Sequence, residues 1–188
     1  KKMKLKKILN KIKFKNIKFV NYRDVKLVRN IRNEKKIRQN MFTSHIISEI
    51  EHLNWLKKIK SQSNEIFYVI YFENKIVGGL GLKDIVKRQQ AYWSFYISKE
   101  SKVSGLGALV EYKALNFFFK FYKFLKINCF VLKKNQLVIK LHKKFGFVEN
   151  KITDKKVLIY NKKKIINLEL KSYEWKKMSK KFERLFLR

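Results

Sequence analysis

The spacing of apolar residues in the first third of the chain predicts two helices. Apolar residues recur at helical intervals over Asp24–Arg32 and again from Ser48 to about Lys60. Ser48 and Glu51 have the S-x-x-E spacing of a capping box, which marks the start of the second helix. That helix is predicted to bury an apolar stripe formed by Ile50, Leu53, Trp55 and Leu56.

Runs of β-branched and aromatic residues predict the strands. The run Ile66–Phe72 is followed by a turn at Glu73, Asn74 and Lys75 and then by "IVGGLGLKDI", which indicates a hairpin. The remaining predicted strands are Asn16–Val20, Ala91–Ser98, Ile127–Leu132, Val157–Tyr160 and Ile165–Leu170.

Helical periodicity returns three times in the second half of the chain. It predicts a long helix over Gly107–Leu125 with one wide apolar face, and a shorter helix over Gln136–Phe145 that Gly146 ends. The final segment also has helical spacing, with apolar residues at Trp175, Met178, Phe182, Leu185 and Phe186. Three roles stay open for this basic tail: packing on the domain, contact with a partner, or peripheral contact with an anionic membrane surface.

Composition favours one domain with a preference for anionic partners. The 188 residues carry 47 basic and 14 acidic side chains, a net charge of +33. The lack of proline and the many Lys, Ile, Asn and Phe residues suggest codon drift towards A and T, which accounts for part of the lysine excess. The shortage of acids is not explained in this way, so small phosphorylated molecules are expected partners.

Cysteine content and apolar runs exclude some classes of protein. The single cysteine, Cys129, excludes an internal disulfide and a cysteine-based metal cluster, and no metal site is expected. The longest apolar run, Ile66–Phe72, is far shorter than the ~20 residues of a membrane helix. The basic start of the chain lacks a continuous hydrophobic region. A cytoplasmic protein is therefore expected.

The stretch "ESKVSGLGALVEYKAL" places a glycine-containing bend between a strand and a helix. This arrangement directs unpaired amides and the positive helix end at an anion. The stretch does not match the nucleoside-triphosphate loop, and Val110 breaks the dinucleotide fingerprint. Taken alone the bend is a weak signal, because glycines also end strands for steric reasons.

The order of elements over roughly Phe14–Tyr160 resembles the GNAT family of acetyl-CoA-dependent N-acetyltransferases. Lys102, Gly105 and Gly107 occupy the defined positions of that family's pyrophosphate loop, Q/R-x-x-G-x-G/A. The resemblance implies an α/β (α+β) fold with a mixed central sheet of about six or seven strands flanked by about four helices. It implies that acetyl-CoA is bound by Phe95, Ile97, Lys102, Val103, Ser104, Gly105, Leu106, Gly107, Ala108 and Asn135.

A second motif, "NQLVIKLHKKFGF", is similar to the GNAT segment N-x-x-A-x-x-L-Y-x-K-x-G-F. Asn135 and the terminal Gly-Phe match, and His142 replaces a tyrosine that often protonates the departing thiolate. An imidazole can donate a proton in the same place. Catalytic and structural roles for His142 both stay open.

The stretch from Arg29 to Leu56 is similar to the branch that acetylates UDP-linked 4-amino-4,6-dideoxy sugars for pseudaminic acid synthesis. That branch has the pattern R-N-x-x-x-I-x-x-x-M…I-S-x-x-x-H-x-x-(W/F)-(L/I). Glu34 and Lys35 stand where the branch usually has His-Pro. By resemblance, the nucleotide-sugar is expected to contact Arg32, His52, Lys83, Trp93 and Tyr96.

The resemblance implies direct attack of a sugar amine on acetyl-CoA in a ternary complex. The strand near Trp93–Phe95 is expected to splay from its neighbour, and a water near Ser94 is the hypothetical base.

The alternative functions are acetylation of protein N-termini or other small amines, and a non-catalytic basic module that binds nucleic acid. No nucleic-acid partner is expected. We expect a monomer or homodimer, a basic N-terminal extension at 1–13, the acetyltransferase domain at 14–170 and the basic amphipathic tail at 171–188.

Overall fold

The strands of the described chain form a mixed sheet. The computed structural model describes residues 2–150, 159–160 and 163–187. The strands are β1 (Ile12–Asn16), β2 (Ile66–Phe72), β3 (Lys75–Val86), β4 (Gln90–Ile97), β5 (Lys126–Leu132), β6 (Val148–Asn150), β7 (Ile159–Tyr160) and β8 (Lys163–Lys171). Seven of them lie in the order β1-β2-β3-β4-β5-β8-β6, and β7 pairs with the start of β8. Only the β4–β5 pair is parallel among these described strands.

Helices cover both faces of this sheet. In the described residues the α-helices are α1 (Lys2–Lys11), α2 (Tyr22–Asn33), α3 (Lys35–Arg38), α4 (Glu49–Ser61), α5 (Leu106–Phe117), α6 (Gln136–Lys144) and α7 (Ser172–Leu187). Short 3₁₀ turns lie at Ile17–Phe19 and Lys99–Ser101. The mixed α/β architecture confirms the predicted fold class.

Alternation along the strands divides the core in two, because successive side chains point to opposite faces of a sheet. Tyr68 and Ile70 of β2 lie in a large cluster with residues of α5, α6 and α7. Phe67 and Val69 lie in a smaller cluster with residues of α2 and α4. We call these two sides of the sheet the large-core face and the small-core face.

The predicted capping box of α4 is confirmed, but its predicted apolar stripe is partly wrong. The Glu51 amide donates to the Ser48 hydroxyl at 3.2 Å, and the Ser48 amide donates to the Glu51 carboxylate at 2.7 Å. The helix buries His52, Leu56 and Ile59, whereas Ile50 is 73% exposed. A position two residues from His52 lies about 200° around the helix, which turns Ile50 to solvent.

Two predicted boundaries are corrected by local backbone geometry. The predicted strand Asn16–Val20 is wrong beyond its first residue, because β1 ends at Asn16. The Asn16 side chain accepts from the Lys18 amide at 2.9 Å and turns the chain into the 3₁₀ segment. The predicted helix Gly107–Leu125 ends earlier: α5 continues as a π turn over Phe118–Tyr122, and Lys123 then adopts a left-handed conformation. Phe121 and Leu125, predicted on the buried face, are exposed.

The predicted strands near the end of the chain are only partly testable. β7 matches the second half of the predicted strand Val157–Tyr160, and residues 157 and 158 lie outside the described residues. β8 includes the predicted strand Ile165–Leu170. β6, with three residues, was not predicted.

The chain at the N-terminal end contacts the core of the domain. Ile12, which belongs to the predicted extension, is fully buried and pairs with Phe72 on β2. The Lys113 ammonium on α5 donates to the carbonyls of Leu9 and Ile12, which ties the end of α1 to the large-core face.

The basic tail forms α7 and packs against the domain through its apolar side. Trp175 is 3% exposed, and the ring of Phe182 stacks on Phe145 with their centroids 4.4 Å apart. The Tyr112 hydroxyl of α5 donates to Glu183 at 3.0 Å. The side chains of Leu185 and Phe186 lie outside the described ones. Of the three roles left open for the tail, the structure shows packing on the domain. Among the helices described, none has the length and apolarity to cross a membrane.

The contribution of α7 can be measured with Trp175→Ala, which removes a buried indole. We expect the free energy of unfolding to fall by about 3–5 kcal/mol in urea titrations. Tyr173→Ala is the control on the same helix, because that ring is 55% exposed, and it should cost less than about 1 kcal/mol. Equal losses in the two variants would contradict the docking of α7.

Candidate active site

The parallel strands β4 and β5 separate part of the way along their length. Their register contains Gln90↔Lys126, Ala91↔Ile127 and Tyr92↔Asn128, and no later pair occurs in the described chain. The divergence begins at Trp93, as the sequence predicted. Backbone groups of β4 beyond this point, including those of Phe95 and Ile97, therefore face a wedge between the strands, where an extended ligand can add main-chain hydrogen bonds.

A glycine-containing bend lies at the open end of the wedge. Lys102 and Gly105 have left-handed conformations, with φ of 47° and 75°, and Gly105 is the N-cap residue of α5. No side chain caps this helix, so the first-turn amides of Gly107 and Ala108 point at the bend. A Cβ added to Gly105 or Gly107 would meet nothing within 4 Å. The bend is thus an open cradle of amides that fits a diphosphate.

Side chains around the bend differ in what they can do. Val103 and Leu106 belong to the large core, and the Leu106 amide donates to the Val103 carbonyl at 3.2 Å. These two residues anchor the bend. The exposed side chains of Lys102 and Ser104 border the open space. Asn135 is the residue before α6, and its side chain makes no hydrogen bond that caps this helix. Its side-chain amide is therefore not used in capping.

Glu34 connects the bend to the helices on the small-core face. It accepts a hydrogen bond from the Ser98 hydroxyl and, at 3.4 Å, one from the Lys99 amide. Ser98 is itself buried, and its amide donates to the Val77 carbonyl at 2.7 Å. The residue that replaces histidine in the R-N-His-Pro pattern therefore fixes the joint between α2 and α3 to the end of β4.

His142 lies on the large-core face beside the start of the wedge. It is 3% exposed, and its ring centroid is 5.4 Å from that of Trp93 and 5.0 Å from that of Phe147. Its Nδ1 is 2.7 Å from Oε1 of Glu111, a carboxylate on α5 with no exposed surface. The imidazole therefore faces the interior of the domain.

Both members of this pair hold protons more tightly than usual. Burial raises the pKa of Glu111, although His142 opposes the shift. Burial alone would lower the pKa of His142, but the interactions with Cys129 and Glu111 outweigh it and raise that pKa. The two shifts have the same direction, towards the protonated form of each group.

Sequence reasoning missed Glu111. It lies four residues after Gly107 and four before Leu115, so it falls on the apolar stripe of its helix. An acid on such a stripe was the available signal, because carboxylates are almost never fully buried without a partner.

Trp93 does not join the other predicted substrate residues. It packs on the large-core face against Phe118, Phe147 and His142 and is 3% exposed. Tyr96 of the same strand lies with the small-core cluster. Because the two positions differ by an odd number of residues, their side chains point to opposite faces. The structure thus places Trp93 on the face of the sheet opposite Tyr96, and its predicted contact with the substrate stays a prediction.

Arg32, His52 and Tyr96 gather on the small-core face. The Arg32 guanidinium donates to the carbonyl and hydroxyl of Thr43 at 3.0 and 3.1 Å, while its buried Nη1 has no partner among the described residues. Burial lowers the pKa of Arg32, and Tyr96 opposes this shift. Burial, followed by the charge of Arg29, lowers the pKa of His52 to about 4, so that imidazole is neutral at pH 7.

Glycine and aromatic packing bring these residues together. The rings of His52 and Trp55 stack with centroids 5.0 Å apart, and Trp55 contacts Phe67 edge-on at the same distance. A Cβ on Gly79 would come within 2.2 Å of the Phe67 ring and 2.8 Å of the Tyr96 hydroxyl. The lack of a side chain at Gly79 therefore makes room for both rings.

Ser94 and Lys83 extend this face along the strands. The cross-strand pairs Gly79↔Tyr96, Gly81↔Ser94 and Lys83↔Tyr92 follow one another. Ser94 and Lys83 are exposed. Lys83 lies four residues from Gly79, about 14 Å along β3, so it marks the far end of a tract that begins at Arg32 and Tyr96.

Comparisons with known proteins agree with this arrangement. A family model described as "Acetyltransferase (GNAT) domain" matches residues 17–167. Two curated proteins named "Acetyltransferase PseH", from two strains of Campylobacter jejuni, are 26% identical to the chain over 136 residues, which are 72% of this chain and 84% of theirs.

Solved structures show the same fold. The C. jejuni N-acetyltransferase PseH in complex with acetyl coenzyme A has a TM-score of 0.65 at 21% identity, over 85% of this chain and 98% of that chain. A spermidine N-acetyltransferase from Vibrio cholerae, in complex with CoA and spermine, has a TM-score of 0.75 at 17% identity, over 88% of this chain and 98% of that one.

The cradle at the bend can be tested with Gly107→Val. Its side chain would enter the open space without meeting protein atoms, so the folded state should be little disturbed. We expect the Kd for acetyl-CoA in calorimetry to rise at least about tenfold, because the branched side chain blocks the approach to the amides. Gly107→Ala is the matched control, since the loop motif accepts alanine there, and unchanged binding by the valine variant would contradict the assignment.

Proposed function

Since the chain belongs to the GNAT acetyltransferase family, as the match over residues 17–167 shows, we propose that it acetylates the amine of a nucleotide-linked amino sugar of the UDP-4-amino-4,6-dideoxy-hexose type. Transfer of acetyl from acetyl-CoA to nitrogen is the activity of the family. The proposal concerns the acceptor and the residues that act on it.

The observation that carries the choice of acceptor is the Arg32 cluster on the small-core face. Arg32 is half-buried, and its buried Nη1 has no partner among the described residues; a guanidinium in that state is suited to a phosphate or carboxylate ligand. Neutral His52 and partly buried Tyr96 can stack on or hydrogen-bond a base or sugar. The similarity of this stretch to the amino-sugar branch, and of the chain to proteins named PseH, supports the same acceptor.

Charge and length of the tract also favour a nucleotide-sugar. A net charge of +33 repels polycations and attracts diphosphates. The tract from Tyr96 past Ser94 to Lys83 runs along two strands for about 14 Å, which suits an extended acceptor with its reacting amine near Ser94. A polyamine acceptor, such as that of the spermidine enzyme with the same fold, is disfavoured because it would approach a strongly cationic surface.

In the proposed mechanism the acceptor amine attacks the thioester directly, with both substrates bound. The amides around Ser104–Ala108 hold the diphosphate of acetyl-CoA, and main-chain groups of Phe95 and Ile97 bind its extended arm in the wedge. Backbone amides at the wedge stabilise the oxyanion. A water beside exposed Ser94 takes the proton of the amine. His142 protonates the departing thiolate.

The acceptor is tested with a panel of UDP-4-amino sugars, spermidine and N-terminal peptides, read by the mass gain of one acetyl group. We expect turnover with a UDP-4-amino sugar and little with the others. Arg32→Gln should raise KM for that sugar about tenfold or more and leave KM for acetyl-CoA unchanged. Arg38→Gln is the control, since Arg38 also donates to a loop carbonyl, that of Ser44, but is not among the described residues that have a buried polar atom without a partner.

Other outcomes of the panel point to other functions. Selective acetylation of peptides would indicate a protein N-terminal acetyltransferase. Salt-sensitive RNA binding without acetyl-CoA binding would indicate a non-catalytic module. Either result would overturn the proposed acceptor.

The role of His142 is tested with His142→Phe, which keeps a ring in the same packing environment. We expect kcat to fall about a hundredfold, because the thiolate leaves without a proton donor, while the Kd for acetyl-CoA stays within about twofold of that of the unaltered protein. Stability should be measured alongside, since the substitution also leaves Glu111 buried without its partner. An unchanged kcat would remove His142 from the mechanism.

A further inference from the structure

The position of His142 relative to the wedge is defined by the first unpaired residue of each strand. The last β4–β5 pair is Tyr92↔Asn128, so Trp93 and Cys129 are the next residues on β4 and β5. Both side chains belong to the large-core face, and both interact with the His142 imidazole. The imidazole therefore lies at the apex of the wedge, where an inserted thioester would meet it.

Glu111 restricts what this imidazole can do. Its Oε1 is 2.7 Å from Nδ1 of His142. Glu111 therefore uses Nδ1, and Nε2 is the ring nitrogen that Glu111 does not contact. The second carboxylate oxygen, Oε2, is buried and has no partner among the described residues. A carboxylate with no exposed surface and one hydrogen bond is very unfavourable as a lone anion. The site is stable only if a proton is held by the carboxyl or by the imidazole.

The surroundings provide no other compensation for this charge. Within the described chain, Cys129 of β5 is the other titratable group that affects the pKa of this pair. The other neighbours of the imidazole are the rings of Trp93, Phe95 and Phe147. Burial raises the pKa of Glu111. Burial would lower the pKa of His142, but the interactions with Cys129 and Glu111 outweigh it and raise that pKa, which agrees with a proton that stays on the pair.

We propose that Glu111 is a positioning residue for acetyl transfer: with His142 it forms a buried unit that retains one proton and presents it at the apex of the wedge. This inference rests on the proposed role of His142 as the acid. Glu111 itself touches neither substrate. It keeps a proton on the pair and orients the imidazole through the hydrogen bond between its Oε1 and Nδ1 of His142.

The proton balance of the step is complete with water as the only other participant. The amine nitrogen forms a bond to the acetyl carbon, the carbon–sulfur bond breaks, and its electron pair goes to sulfur. The Glu111–His142 unit gives its proton to sulfur, which forms the free thiol of coenzyme A. The surplus proton of the amine goes to water on the small-core face, and the unit regains a proton from water after the thiol has left.

Glu111→Gln tests the proposal, because it preserves the size of the side chain and an oxygen for Nδ1 but removes the negative charge. We expect the alkaline limb of the kcat–pH profile to move at least one pH unit towards acid. The value of kcat at pH 8.5 should fall about tenfold or more, with KM for acetyl-CoA unchanged. Glu183→Gln is the matched control, because Glu183 also contacts α5, through Tyr112, but on the side of α7.

A histidine titration by NMR gives a readout that depends neither on activity nor on the folding of Glu111→Gln. The chain has three histidines, and His142→Phe assigns one resonance. In the unaltered protein we expect His142 to titrate well above an ordinary histidine, and His52 to titrate below one, near its lowered pKa of about 4.

The outcomes are separable. A His142 titration at or below that of an ordinary histidine overturns the proposal, even if Glu111→Gln does not fold. An alkaline limb that does not move in a folded Glu111→Gln protein also overturns it and leaves Glu111 a structural role. If no acceptor is acetylated, the proposed function fails, while the NMR titration still decides whether the pair holds a proton.

Discussion

The separation of β4 from β5 after Tyr92↔Asn128 is the feature on which the rest of the site depends. In a continuous parallel pair the main-chain groups of both strands would be used within the sheet, and no extended ligand could enter. The divergence exposes those groups on one side. The bend at Gly105, which follows β4 after the short 3₁₀ turn Lys99–Ser101, places the uncapped start of α5 at the open end of the same wedge.

The sheet separates the two halves of the chemistry. On the large-core face, His142 and Glu111 are enclosed by aromatic rings and excluded from water, which suits a group that must keep a proton. On the small-core face, Arg32 is half-buried and Ser94 is exposed, which suits the charged, hydrated acceptor that we propose. The wedge lies between the two faces, so in the proposed mechanism the amine arrives from one side and the thiolate is protonated from the other.

The lysine excess and the basic tail have different structural meanings. Most lysines lie on exposed positions, where they set the sign of the long-range field rather than any particular contact. The tail has cations on its outer side, but Trp175 and Phe182 use its apolar side to cover the large core. Its amphipathic pattern is therefore satisfied within the domain.

Local patterns in the sequence determined the elements and the strongest motifs. The capping box at Ser48 and Glu51, the β2–β3 hairpin and the glycine bend depend on residues within a few positions of one another, so their physics can be read from a short stretch. Errors occurred where one backbone conformation decides a boundary, as at Asn16 and Lys123. The family resemblance supplied the site residues, including His142, without their positions relative to each other.

Only the tertiary structure decided which residues meet. Trp93 and Tyr96 are close in sequence, but the pleat sends them to opposite faces. Glu111 and His142 are 31 residues apart on different helices, and only the packing of α5 and α6 on one face brings them to 2.7 Å. Helical or strand periodicity states that a position is buried, but it carries no information about the partner. That partner depends on strand order and register, which are set by contacts between distant parts of the chain.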